Sequence, residues 1–286
     1  PTPSERHEIR LPSGATLALD VSGDGPPLYV IHGGPCGGRT YWRGALTFLE
    51  ARWRIHAVDL RGHGESSRTP PFTVARLAAD LPELAATLGH RDPALLGHSF
   101  GATVALQAAL DHPQQFSRLV LVGGFARTWR VALATAGLAA KLRMLRNAGA
   151  WYTNHRLGRN PDAREALRGV LDEARAILHA PGTPRWVDEH LFAAVTPPFD
   201  ALEPLTFDLL RWDVTRRLHT LRPPTLLVDG EHDKLAAADQ AILASRIPRS
   251  QRVVIPGAGH SPFLERPAAF RQAVEGFLDP VRAPAA

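Results

Sequence analysis

Cysteine is almost missing from this chain: 286 residues contain one, Cys36. A single cysteine excludes an internal disulfide framework and fits a reducing compartment. Lysine is nearly as scarce, with Lys141 and Lys234 alone, so arginine carries the net charge of +5. Long apolar runs are lacking too. Each one is interrupted by Arg, Gly, Pro or Asp before the roughly 18 residues that a membrane span requires. The stretch Pro1-Thr2-Pro3-Ser4-Glu5-Arg6-His7 has no basic-then-apolar signal pattern. These absences give the expectation of a cytoplasmic protein without a membrane span.

What is present is a globular composition. The chain is 44% hydrophobic, and its 24 glycines and 25 prolines are scattered rather than clustered, which excludes collagenous and low-complexity classes. The length fits one large α/β domain, or one domain carrying an insertion. The arginines are spread singly along predicted helices, so no nucleic-acid footprint emerges. One stretch differs. No acidic residue lies between Asp111 and Asp162, while Arg118, Arg127, Arg130, Lys141, Arg143, Arg146, Arg156 and Arg159 do. A solvated basic face explains this more simply than an entrance selecting anions or a membrane-surface patch.

Strand and helix patterns alternate in the first half. Ala15 to Val21 reads as a strand near a sheet edge. Leu28-Tyr29-Val30-Ile31 is a buried strand ending in a tight glycine turn, and Arg54 to Val58 is the next strand. Tyr41 to Leu49 reads as helix. Val74 to Leu88 has helical spacing with Gly89 as its stop, and Pro82 inside it predicts a kink or a break. Ala94-Leu95-Leu96 and Leu119 to Val122 are strands flanking an alanine-rich helix, Ala102 to Leu110. The pattern lapses from Phe125 to Trp212, where helical periodicity dominates and Trp129, Trp151, Trp186 and Trp212 fall. It resumes with strands at Thr225 to Val228 and Arg252 to Ile255, and helices at Ala236 to Ile247 and Ala268 to Leu278. The predicted fold class is therefore α/β, a mostly parallel sheet covered on both faces. Residues 1–124 and 213–286 form its core, and 125–212 form a helical cap.

The chemistry concentrates in four loops. Gly97-x-Ser99-x-Gly101 lies between a strand and a helix, where a nucleophilic serine occupies a strained turn and flanking glycines relieve crowding. Serine needs a base. His260, in Gly257-Ala258-Gly259-His260-Ser261-Pro262, follows the last strand, where a parallel sheet presents working groups. The base needs a carboxylate to fix its tautomer. Asp233 follows the strand at Thr225 and gives the order Ser, Asp, His; Asp229 and Glu231 are its rivals. His32-Gly33-Gly34-Pro35 then supplies an oxyanion loop, with backbone N–H groups of Gly34 and Phe100 as the two donors. Neither histidines nor acids show tight ligand spacing, so no metal or organic cofactor is expected.

At these residues the chain resembles the α/β-hydrolase superfamily. Asp59-Leu60-Arg61-Gly62-His63-Gly64-Glu65-Ser66 matches a stretch that is structural there. Within the superfamily it is most similar to the proline iminopeptidase branch, peptidase family S33. The similar pieces are His32 to Gly38, Trp212-Asp213-Val214-Thr215-Arg216-Arg217-Leu218, and His260-Ser261-Pro262-Phe263-Leu264-Glu265-Arg266-Pro267. Two departures stand out: Phe100 replaces the branch's usual Trp, and the first part of the insertion offers no acid for a substrate amine. Asp200, Glu203 and Asp208 are the remaining candidates for that contact.

The resulting expectation is a serine hydrolase of an ester or small amide, working through an acyl-enzyme on a small-molecule substrate. An aminopeptidase acting on proline-like residues is the alternative. A ligand-binding protein that lost turnover is a third, from a different class. Dehalogenases and epoxide hydrolases carry an aspartate where Ser99 stands. The cap aromatics Trp129, Trp151, Tyr152, Trp186, Phe192, Phe199 and Phe207 are candidates either for cap core or for a pocket wall.

Overall fold

Leu119-Val120-Leu121-Val122 shows why the strands read as continuous apolar runs. Side chains alternate across a strand, and here both alternating sets are buried. Leu119 and Leu121 join one hydrophobic cluster, Val120 and Val122 another. The same division separates Tyr29 and Ile31 from Leu28 and Val30, and Leu227 from Leu226 and Val228. A sheet covered on both faces demands apolar residues at every position, so period-two alternation disappears.

The computed structural model describes residues 4–34, 36–128, 172, 175–195 and 201–279, without the side chains of Leu202 and Glu203. Among them, eight strands form one sheet: β1 (Glu5–Arg10), β2 (Thr16–Ser22), β3 (Pro27–Ile31), β4 (Arg54–Val58), β5 (Ala94–His98), β6 (Leu119–Val122), β7 (Thr225–Gly230) and β8 (Ser250–Ile255). Their order is β1-β2-β4-β3-β5-β6-β7-β8. β1 and β2 pair antiparallel, as do β2 and β4, and every later pair is parallel. Strand β2 lies near the sheet edge as expected, next to the edge strand β1, a polar strand with no buried residue.

The described helices are α1 (Gly38–Tyr41), α2 (Val74–Leu88), α3 (Phe100–Asp111), α4 (Arg185–Ala194), α5 (Leu202–Leu209), α6 (Ala237–Arg246), α7 (Pro262–Glu265) and α8 (Pro267–Leu278). Helices α2 and α3, with Leu243 of α6, pack on one sheet face; Phe270, Val274 and Leu278 of α8 pack on the other. The helix expected at Tyr41 to Leu49 is instead α1 followed by a 3-10 turn at Thr47–Leu49. Gly44, at φ +74, sits between them and breaks the helical path.

Helix α2 begins at Thr73, whose hydroxyl accepts from Arg76 N at 3.1 Å, and ends at Gly89 in the left-handed region with φ 68. It runs through Pro82 without a break. An interior proline costs about 3 kcal/mol. Burying Leu77, Leu81 and Leu84, each fully enclosed, returns about 2 kcal/mol apiece, so packing wins.

Within 125–212 only 125–128, 172, 175–195 and 201–212 are described. The rest of the expected cap, including Trp129, Trp151, Tyr152 and Phe199, lies outside the described residues. Antiparallel bridges join Arg127 to Asp213 and Cys36 to Val195, so Arg127 and Val195 of this stretch are tied to residues outside it. Among the described residues no helix is long and apolar enough to cross a membrane.

Candidate active site

Five loops leave the C-terminal ends of β3, β5, β6, β7 and β8, the edge at which an open parallel sheet leaves a crevice. They carry His32 to Gly34, Ser99, Gly123, Asp233 and His260 in turn.

The serine turn follows from close backbone packing. Ser99 has φ 52 and ψ −116, a conformation that costs a non-glycine residue roughly 1–3 kcal/mol. A Cβ at Gly97 would collide with the carbonyl of Gly101, and one at Gly101 with the carbonyls of Ile31 and His32. Both flanking glycines are therefore required by the backbone. Ser99 N donates to Val122 O at 2.8 Å, which anchors the turn to β6. Its side chain makes no capping bond to α3 and points to a histidine instead.

That histidine is His260, with Nε2 2.9 Å from Ser99 Oγ and Nδ1 2.9 Å from Asp233 Oδ2. The other Asp233 oxygen accepts from Leu235 N and Ala236 N at 2.9 Å each. Burial opposes the Asp233 charge, but His260 and these two N–H donors hold the carboxyl below its usual range. An ionised Asp233 accepts only, so Nδ1 of His260 donates to it and Nε2 is left to accept from the serine hydroxyl. The rival acids are committed elsewhere: Asp229 to Arg252 at 2.6 and 3.1 Å, Glu231 to Gly257 N at 2.9 Å.

His260 is held by its backbone as well. Its N–H donates to Leu178 O at 2.6 Å. Its carbonyl accepts from His98 Nε2 at 2.7 Å, and His98 Nδ1 faces the Tyr41 hydroxyl. Burial first, and the neighbouring His260 second, push His98 down to about 3, so its ring is neutral, donates through Nε2 and accepts the Tyr41 proton at Nδ1. Gly123, at φ +55, lies flat against the ring: a Cβ there would be 2.8 Å from His260 Cε1. Sequence reasoning gave neither His98 nor Gly123 a role. Nothing local marks them, since the partner of His98 lies 57 residues away.

The loop expected to hold an oxyanion opens toward free space at Gly34. Gly34 has φ +48 and, among the described residues, nothing within 4 Å of where a Cβ would stand. Phe100 is buried at the first turn of α3. His32 is buried, accepts from Leu60 N at 3.2 Å through Nε2, and is held neutral chiefly by that burial. Gly38 N donates to Asp59 Oδ1 at 2.6 Å, and Arg61 grips Asp80 at 2.6 and 2.8 Å. The Asp59 to Ser66 stretch thus supports the loop from behind. Burial pushes the Cys36 thiol up to about 12, so it stays protonated beside the bridge to Val195.

Among the acids considered for a substrate amine, Asp208 accepts from Val74 N at 2.7 Å at the start of α2. Asp200 and the Glu203 side chain lie outside the described residues. Of the basic stretch, Arg118 bonds the carbonyl of Phe277 and Arg127 stands 4.0 Å from Asp239; Arg130 to Arg159 lie outside. Trp186 and Phe207 are 50% and 58% exposed, so neither is buried in a cap core.

A family model described as alpha/beta hydrolase fold matches residues 26–267. A pimeloyl-[acyl-carrier protein] methyl ester esterase of Aeromonas hydrophila is 31% identical over 275 residues, covering 92% of this chain and 99% of that one. A protein named "Putative carbamate hydrolase RutD" from Klebsiella pneumoniae is 30% identical over 243 residues, covering 83% and 85%. Among solved structures, a thermophilic esterase from Thermogutta terrifontis superposes with a TM-score of 0.77 at 27% identity, covering 98% and 100%. These relatives are named as esterases and a putative carbamate hydrolase, which corrects the resemblance to proline iminopeptidases at the level of the branch while upholding it at the level of the superfamily. With the family matched over most of its length, the chain is a hydrolase that belongs to the α/β-hydrolase fold family.

Proposed function

We propose that this chain is a serine hydrolase of small-molecule carboxylic esters. Ser99 is the nucleophile, His260 the general base and Asp233 the group that orients it. Residues 125–212 act as a cap over the site, and the enzyme works in the cytoplasm. The observation that carries the reading is the unbroken line of contacts from Asp233 to His260 to Ser99, at 2.9 Å each, beginning from a serine in strained conformation.

In the proposed cycle Ser99 Oγ attacks the ester carbonyl while its proton passes to His260 Nε2. The carbonyl electrons move to oxygen, and the N–H groups of Gly34 and Phe100 stabilise that charge, aided by the positive end of α3. Collapse expels the alcohol, which takes the proton from His260. Water then repeats the sequence on the acyl-enzyme: it gives a proton to His260, the acid leaves, and Ser99 regains its hydrogen.

The aminopeptidase alternative rests on the motifs around His32, Trp212 and His260. It is weakened because Asp208 already accepts from Val74 N and has less capacity left for an amine. A fluorophosphonate probe should label the wild type and fail on Ser99→Ala; absence of labelling in the wild type would favour a silent binding protein. On a panel of p-nitrophenyl esters and prolyl arylamides, turnover of esters alone is expected. Turnover of the arylamide alone would replace this reading with the aminopeptidase.

A further inference from the structure

One buried carboxylate near the site takes no part in the chemistry above. Glu265, the last residue of α7, has a side chain with 0% exposure. Its Oε2 accepts from Gly259 N at 3.0 Å, from Ala180 N at 2.9 Å and from the Thr183 hydroxyl at 2.8 Å. Its Oε1 accepts from Ser261 N at 3.2 Å. Gly259 and Ser261 are the immediate neighbours of His260, so one carboxylate grips the backbone on both sides of that residue.

The grip extends further. His179 Nδ1 lies 3.5 Å from Glu265 Oε1, and its Nε2 lies 3.0 Å from Asp188 Oδ1, on α4. Helix α4 in turn bonds the chain that follows Gly34. Gly37 N donates to Ala194 O at 2.9 Å, and His190 Nε2 donates to the Tyr41 carbonyl at 2.9 Å. The strand of chain at 178–180 presses so closely on Gly259 that a Cβ there would stand 2.6 Å from both Leu178 O and Ala180 N. Burial opposes the charge of Glu265, yet hydrogen bonds from His179, Ala180, Thr183 and Gly259 hold it down at about 2.

We propose that Glu265 is a positioning residue: its carboxylate fixes the loop that carries His260 and, through His179 and Asp188, ties that loop to α4, which bonds the chain at Gly37 and Tyr41. This rests on the reading of His260 as base. It assigns to Glu265 no contact with substrate. Its effect is on where the imidazole sits relative to the hydroxyl and the oxyanion donors, and misplacement of about 1 Å costs on the order of a hundredfold in rate. A carboxylate is needed because every group facing it through N–H or O–H donates. A glutamine has one acceptor oxygen, and its amide N–H would face donors.

The test is kcat per labelled site. Wild type, Glu265→Gln and His179→Ala are titrated with a fluorophosphonate, then assayed on p-nitrophenyl butyrate. Glu265→Gln should lower kcat per labelled site by about 10- to 100-fold with KM within about twofold, and His179→Ala should lower it several-fold. A role confined to holding the fold together would shrink the labelled fraction and leave the rate per labelled site unchanged. That result in both variants overturns the proposal. If Glu265→Gln does not fold, His179→Ala decides alone: a several-fold loss per site supports positioning, an unchanged rate ends it. Failure of the wild type itself to label removes the serine-hydrolase reading, and this inference falls with it.

Discussion

Beside Ser99, every ring nitrogen of His98 and His260 has a partner. On the antiparallel flank of the same sheet, neither ring nitrogen of the buried His56 has one. His56 packs edge-on against His90, at 4.9 Å between ring centroids, and Tyr29, at 5.4 Å, and serves as an aromatic filler. His56 and His98 both stay neutral: burial first, then His90 and Arg54, brings His56 to about 3, and burial first, then His260, brings His98 to about 3. The difference lies in direction. Partnered nitrogens fix which atom carries the hydrogen and hence which way a proton is passed; unpartnered ones fix nothing and only make protonation costly.

Three experiments would break or sharpen that contrast. His260→Ala removes the proton acceptor and should lower kcat by roughly 10⁴-fold or more, with the thermal midpoint little changed; a loss within about tenfold would sink its assignment as base. The paired replacements His98→Leu and His56→Leu come next. The first strips the His260 carbonyl and the Tyr41 hydroxyl of their partner, an orphaning worth roughly 1–3 kcal/mol, and should lower kcat about tenfold or more. The second should leave kcat within about twofold. Equal effects on kcat would erase the distinction.

The smallest effect is on pH dependence of stability. A histidine held at about 3 in the folded chain, against about 6.5 unfolded, favours folding while both states are neutral. As pH falls below about 6.5 the unfolded chain takes up the proton first, so stability drops, by up to about 1.4 kcal/mol per pH unit for each such residue, until about pH 3. Denaturant titrations between pH 6 and 5 avoid the carboxylates, whose depressed groups Asp233 and Glu265 lose their contribution at lower pH. In that window His56→Leu should flatten the wild-type slope by about 1 kcal/mol per unit. An unchanged slope would show that His56 titrates normally in the fold.

The inner sheet was readable because burial on both faces writes itself into consecutive apolar residues, as at Leu28 to Ile31 and Leu119 to Val122. The helix stop at Gly89 and the turn around Ser99 were readable because both need glycine for backbone reasons. Strand β1 was not: Glu5–Arg10 is an edge strand with no buried residue, held by backbone pairing to β2 that leaves no mark on side-chain type. The helix expected at Tyr41 to Leu49 failed because Gly44 turns the chain where apolar spacing promised continuity. Asp229 lies within β7, where Asp233 stands in the loop beyond it, and the salt bridge from Arg252 explains why the rival is unavailable. Supporting groups such as His98 and Glu265 stayed hidden because their partners lie far off in sequence, 162 residues between His98 and His260, 85 between Glu265 and Ala180.

The interlocked glycines at 97 and 101 have a wider consequence. Main-chain atoms of β3, β5 and α3 close around the turn that carries Ser99, so backbone packing sets the shape of that turn. On the proposed reading, residues around the mouth could be exchanged, and the compounds accepted with them, while the turn carrying Ser99 keeps its shape.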